Sequence, residues 1–75
     1  MKQIIVAEAG WVFIGEVQET DEPGARLKNA AVIRNWGTTA GLGQIALSGP
    51  TKNTVLDPCG EVYIGRPIAR INCEV

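Results

Sequence analysis

The sequence predicts an all-β fold: a small, five-stranded, strongly bent antiparallel barrel with one short helix in an insert at about residues 40–48. Three observations carry that expectation. Short runs of Val, Ile, Phe, Trp and Tyr recur along the chain and are separated by turns rich in Gly and Pro. The stretch from Gly10 to Thr20 reads as one long strand, and Gly15 inside it signals a bulge or bend. A long strand bent in its middle can belong to two faces of one small barrel. Finally, 75 residues allow a single domain over residues 1–75.

Taken in order, Ile4-Ile5-Val6-Ala7 is a short β-type run, and Gly10 separates it from the bent strand. Asp21-Glu22-Pro23-Gly24 is a strong turn, because Pro presets φ and Gly accepts positive φ, so the flanking runs predict a hairpin. From Arg26 to Trp36 the chain reads as a third strand. Leu27, Ala31 and Ile33 share one parity there, and Arg26, Lys28 and Arg34 share the other. Residues 37–53 break the alternation. Leu42, Ile45 and Ala46 fall at i, i+3, i+4, and Gly49-Pro50 would end a helix. Thr54-Val55-Leu56 resumes β character, Asp57-Pro58-Cys59-Gly60 reads as a turn, and Glu61-Val62-Tyr63-Ile64 forms a fourth strand. Gly65-Arg66-Pro67 bends the chain before a fifth strand from Ile68 to Cys73.

Composition narrows the function classes. So short a chain buries only roughly 60% of its unfolded surface, so disulfides, a metal or oligomerisation usually supply the missing stability. There is no His, and Cys59 and Cys73 form no CxxC pair, which argues against a zinc site or any other metal. No apolar run approaches a membrane span and no signal peptide opens the sequence, so the expected setting is cytoplasmic, with reduced thiols. Oligomerisation is left, and 45% hydrophobic residues in so small a chain fits it. The net charge of −1 argues against a generic nucleic-acid coat. Residues 1–24 nevertheless hold five acidic groups against one basic, and residues 25–75 hold six basic groups against three acidic. That asymmetry is either ordinary solvated strand faces or one acidic and one basic face.

No motif carries catalysis. Gly41-Leu42-Gly43-Gln44-Ile45-Ala46 has the letters of a dinucleotide fingerprint, but a chain of this length cannot supply the doubly wound sheet that the fingerprint needs. Gly49-Pro50-Thr51-Lys52 fails as a phosphate loop, since Pro50 has no N–H to offer and the glycine spacing is too long. Glu16, Glu19 and Asp21 lie close together, yet nothing apolar surrounds them to raise a carboxyl pKa. The expectation is a protein that is not an enzyme and has no cofactor. Trp11 and Trp36 are large apolar anchors for a core or subunit interface, or else platforms on which a base stacks. Trp36, beside Arg34 and Asn35, is the better platform.

The order of elements resembles the Sm/LSm family of small ring-forming β-barrels. Gly10, Gly15, Asp21, Leu27 and Ala30 follow the first half of that family's pattern, with Leu and Ala one residue early. Val62-Tyr63-Ile64, Gly65-Arg66-Pro67, Ile68 and Ile71 are similar to the second half. The likeness covers residues 4–36 and 60–73. Two positions depart from the pattern: Gly24-Ala25 stands where the family carries a base-reading Asn, and the family's Arg-Gly order is reversed as Gly65-Arg66. The insert at 37–53 has no counterpart in the pattern. Compact, Gly-rich chains of this kind also resemble small phage-encoded proteins.

The resemblance implies a homo-oligomeric ring of about five to seven subunits, closed through sheet edges. It also implies a non-enzymatic role, binding RNA or single-stranded DNA at pore-facing turns. Asp21 and Arg66 would lie near the pore with Arg26 and Lys28 close by, Arg66 holding phosphate or stacking on a base. The missing Asn and the acidic N-terminal third favour a different class, a structural or protein-interaction ring whose insert docks a partner. A third reading is a ring that captures a small nucleotide-like ligand with the Gly-rich insert.

Overall fold

The computed structural model describes residues 1–18 and 23–74. Asp21 lies outside the described residues, together with Glu19, Thr20, Glu22 and Val75. Five strands form: β1 (Lys2–Val6), β2 (Val12–Gln18), β3 (Ala25–Asn35), β4 (Val55–Ile64) and β5 (Ala69–Asn72). One helix, α1 (Leu42–Ser48), lies between β3 and β4, and a 3₁₀ turn at Glu8–Gly10 joins β1 to β2. All the ladders are antiparallel, and the strands run β4-β3-β2-β1-β5 across the sheet. The order therefore has two ends, and no ladder joins β4 to β5 among the described residues: the sheet is strongly bent but not closed. The radius of gyration, 11.5 Å, matches the about 11 Å expected of a compact chain this long.

The bend runs as a line across three strands. Gly15 is skipped in the β2–β3 ladder, where the register shifts between Ile14 and Glu16. A Cβ at Gly15 would sit 3.0 Å from the Ala30 Cα and 3.2 Å from the Leu27 Cβ, so only a glycine lets β3 approach this closely. On β3 the next break is Asn29, at φ 51°, and the β3–β4 register shifts between Leu27 and Ala30. Ala30 faces Gly60 of β4, whose φ of 77° continues the same line. Bulges of this kind tighten local twist and turn a strand toward a second face.

Two apolar clusters result, one on each side of the sheet. The first joins Ile4, Val12, Ile14, Ala31 and Ile33 to Ile45 and Ala46 of the helix. The second joins Ile5, Ala7, Ala25, Leu27, Ala30 and Ile64, with Phe13, Val17 and Val62 against it. Leu27 thus lies in a different cluster from Ala31 and Ile33, although all three share a parity in the sequence. The extra residue at the Asn29 bulge inverts which face each parity serves. Ile4, Ile5, Leu27 and Ile45 are fully buried, and each such side chain contributes about 1.5–3 kcal/mol.

Two expectations are corrected. Asp57-Pro58-Cys59-Gly60 is not a turn between strands but the middle of one ten-residue strand, β4. Pro58 is tolerated because β4 lies at an end of the sheet, where a missing donor interrupts no second ladder. The helix starts at Leu42 rather than Ala40, because Gly41 at φ 75° precedes it and Thr39 and Ala40 bend into it.

The insert is closed by its own hydrogen bonds. Thr54 Oγ1 donates to the Trp36 carbonyl at 2.6 Å and Thr51 Oγ1 to the Gly37 carbonyl at 2.8 Å. Within it, Gln44 Oε1 accepts from the Ala40 N–H at 2.9 Å, which ties the first turn of the helix to the residue before its Gly41 N-cap. Seven residues are too few for a helix to stand alone in water, so α1 depends on burying Ile45 and Ala46. The Glu74 N–H bonded to the Ala46 carbonyl at 2.7 Å also ties it to the chain end.

Candidate functional site: an aromatic cleft beside Arg66

An open cleft lies between the β1–β2 turn and the β4–β5 bend. It measures about 450 Å³ and is lined chiefly by Glu8, Trp11, Phe13, Tyr63, Gly65 and Arg66. Trp11 and Phe13 stand two residues apart, so they project from the same side of the chain. Their rings are nearly parallel, 9° apart, with centroids 6.0 Å from each other, and form one continuous aromatic wall. Trp11 is 52% exposed and Tyr63 42% exposed, high values for side chains of this size. At the mouth, Arg66 Nη1 donates to Glu8 Oε1 at 3.0 Å. Glu8 is placed by the 3₁₀ turn, in which Ala9 takes φ 60°, a conformation that costs a non-glycine residue energy.

Arg26 approaches from the neighbouring strand. It faces Tyr63 in the β3–β4 ladder, its guanidinium carbon lies 5.3 Å from the Tyr63 ring centroid, and its Nη1 is 3.5 Å from Glu61. Tyr63 therefore links the two arginines: Arg26 lies over its ring, and Arg66 lines the same cleft as Tyr63. Lys28 is exposed two residues further along β3, opposite Glu16, which also meets the N-terminal amine at 3.4 Å. Trp36 lies elsewhere: it follows the far end of β3, at the neck of the insert and over Gly41, 43% exposed. Asp21 cannot be placed. Glu8 and Phe13 were not singled out from sequence, and Tyr63 was read only as strand. The signal for Trp11 with Phe13 was their i, i+2 spacing, a large aromatic pair on one face of a strand.

The remaining charges are structural in character. Arg34 forms a fork onto Asp57, Nε to Oδ2 at 2.8 Å and Nη2 to Oδ1 at 3.3 Å, which fastens β3 to β4 and raises the Arg34 pKa further. Arg70 Nε donates to Gln3 Oε1 at 3.1 Å across β5 and β1. Both cysteines are free thiols: Cys59 is exposed, and Cys73 is half-buried with its pKa pushed up chiefly by burial. Among the described residues no group of three or more His, Cys, Asp or Glu gathers to hold a metal, and no helix is long and apolar enough to cross a membrane. The chain matches no family model, no curated protein and no solved structure.

Proposed function

We propose that this chain is a Sm-like, ring-forming, non-enzymatic protein that binds RNA or single-stranded DNA through the cleft at Arg66. The observation that carries the reading is the placing of an arginine at the mouth of an exposed aromatic wall. Bases of any sequence stack on such walls while a cation meets the backbone phosphate. Arg66 is occupied by Glu8, but both groups are largely exposed, and ion pairs of that kind are generally worth only about 0–1 kcal/mol. A phosphate can displace the carboxylate at little cost.

The ring follows from the sheet's two open ends. Among the described residues β4 and β5 each have a strand on one side only, and pairing β4 of one copy with β5 of the next is a head-to-tail contact that closes if the rotation allows. The same pairing would run the bent sheets of successive copies into one continuous sheet around the ring. A protein-interaction ring without nucleic acid is the second reading. It is favoured by the pairing of Arg26, Arg34 and Arg66 with carboxylates, which leaves little unbalanced positive potential.

Fluorescence anisotropy with a short labelled single strand at low salt, where phosphate contacts are strongest, separates the two. Under the first reading the strand binds, and Arg66→Ala weakens it by about 1–3 kcal/mol while Lys52→Ala, out on the insert, matters much less. Absence of any binding by the wild-type chain would leave the interaction ring as the surviving reading.

A further inference from the structure

The Glu8–Arg66 pair narrows the ligand class, given the single-strand reading on which this step rests. The ligand best matched to the cleft would separate these two exposed groups and pair with both. It therefore needs hydrogen-bond donors at one end, an anion at the other and a flat apolar plate between them for the Trp11–Phe13 wall. A nucleotide has that outline, and the pocket, at about 450 Å³, falls in the usual range for small-ligand sites.

The carboxylate then chooses among the bases. An ionised Glu is an acceptor only, with two oxygens side by side. Guanine is the base whose Watson–Crick edge offers two adjacent donors, the ring N1–H and the exocyclic amino group. Adenine and cytosine set a ring-nitrogen acceptor beside their amino group, which would face the second carboxylate oxygen. Uracil has one N–H between two carbonyls. An unpaired acceptor held against a carboxylate loses affinity, whereas a bidentate match is the usual means of telling bases apart.

We infer that the cleft is a guanine-selective nucleotide site. The base stacks on Trp11, its N1–H and amino group donate to the Glu8 carboxylate, and Arg66 turns from Glu8 to the phosphate. Tyr63 lines the same cleft, with the Arg26 guanidinium over its ring.

In a Trp36→Phe background Trp11 is the sole tryptophan and its fluorescence reports directly on stacking. Titration with GMP should quench it at concentrations about tenfold or more below those needed for AMP, the scale of one bidentate base contact. Glu8→Gln should erase that preference. Arg66→Ala should weaken GMP but leave guanosine, which has no phosphate, unchanged. A thermal melt of each variant confirms that the fold persists. Equal quenching by GMP and AMP, or an unchanged preference in Glu8→Gln, overturns guanine selectivity. If a U-rich strand still binds in that event, the single-strand reading stands; if neither nucleotides nor strands bind, both fall.

Discussion

Gly15 is the residue on which the bend depends most directly. The space that a side chain would need there is filled by the backbone and Cβ of Ala30 and by Leu27, and Leu27 has no exposed surface to retreat into. Gly15→Val should therefore destabilise the fold by more than about 1 kcal/mol, the lower end of overpacking costs. A thermal melt decides it, and an unchanged or raised midpoint would mean that β3 can move away without loss. The two thiols give a second test at this scale. Cys59 is exposed on β4, whereas Cys73 packs against the helix-side cluster and burial raises its pKa. Because the thiolate is the reactive form, a thiol-reactive chromophore near pH 8 should modify Cys59 well before Cys73. Equal rates would show that the chain end, and the Glu74–Ala46 tie with it, opens readily.

At the scale of the element, the strands were legible wherever a single rule governed them. β1, β2 and β5 follow apolar runs, and the Gly15 break was readable because a glycine inside a Val- and Ile-rich run has few other uses. β4 was misread because Pro58 and Gly60 are turn residues by local preference. Tertiary pairing with β3 overrides that preference at a sheet edge, where Pro is tolerated and a positive φ serves as a bulge. The Asn29 bulge left no clear mark, and so the division of β3 between two clusters was hidden behind one parity. Arg66 was singled out only through the family resemblance, and the cleft beside it was not legible, since Glu8 and Trp11 reach it from a turn some 55 residues earlier in the chain. The helix offers an energetic test. Ile45 is 1% exposed and joins α1 to the cluster over β1 and β2, so Ile45→Ala should cost about 2–5 kcal/mol by chemical denaturation. A loss below about 1 kcal/mol would mean that the insert packs only loosely and contributes little to the fold.

For the whole molecule the governing fact is that a two-sided core has been built from very few residues. Among the described residues thirteen hydrophobic side chains are buried, yet Trp11, Trp36, Leu47, Tyr63 and Ile68 remain exposed, and β4 and β5 each pair with a strand on one side only. A chain of 8.0 kDa with those features gains by covering its edges with further copies, because every hydrogen bond made there replaces one to water without new chain entropy. The edges are unequal: β4 has ten residues and β5 four, so the contact between copies is short and its registry is set by β5. A short strand contact is weak on its own, and closing a ring makes each contact support the others. Assembly should then be cooperative, with closed rings of about five to seven copies and few open intermediates. Light scattering on a sizing column at micromolar concentration measures this directly. A single peak several times the mass of the chain, unchanged over a tenfold dilution, is the expected result. A stable species of 8.0 kDa would remove the ring, and with it the reading of a pore-facing site. The cleft at Arg66 lies within one chain, so its geometry does not depend on that outcome.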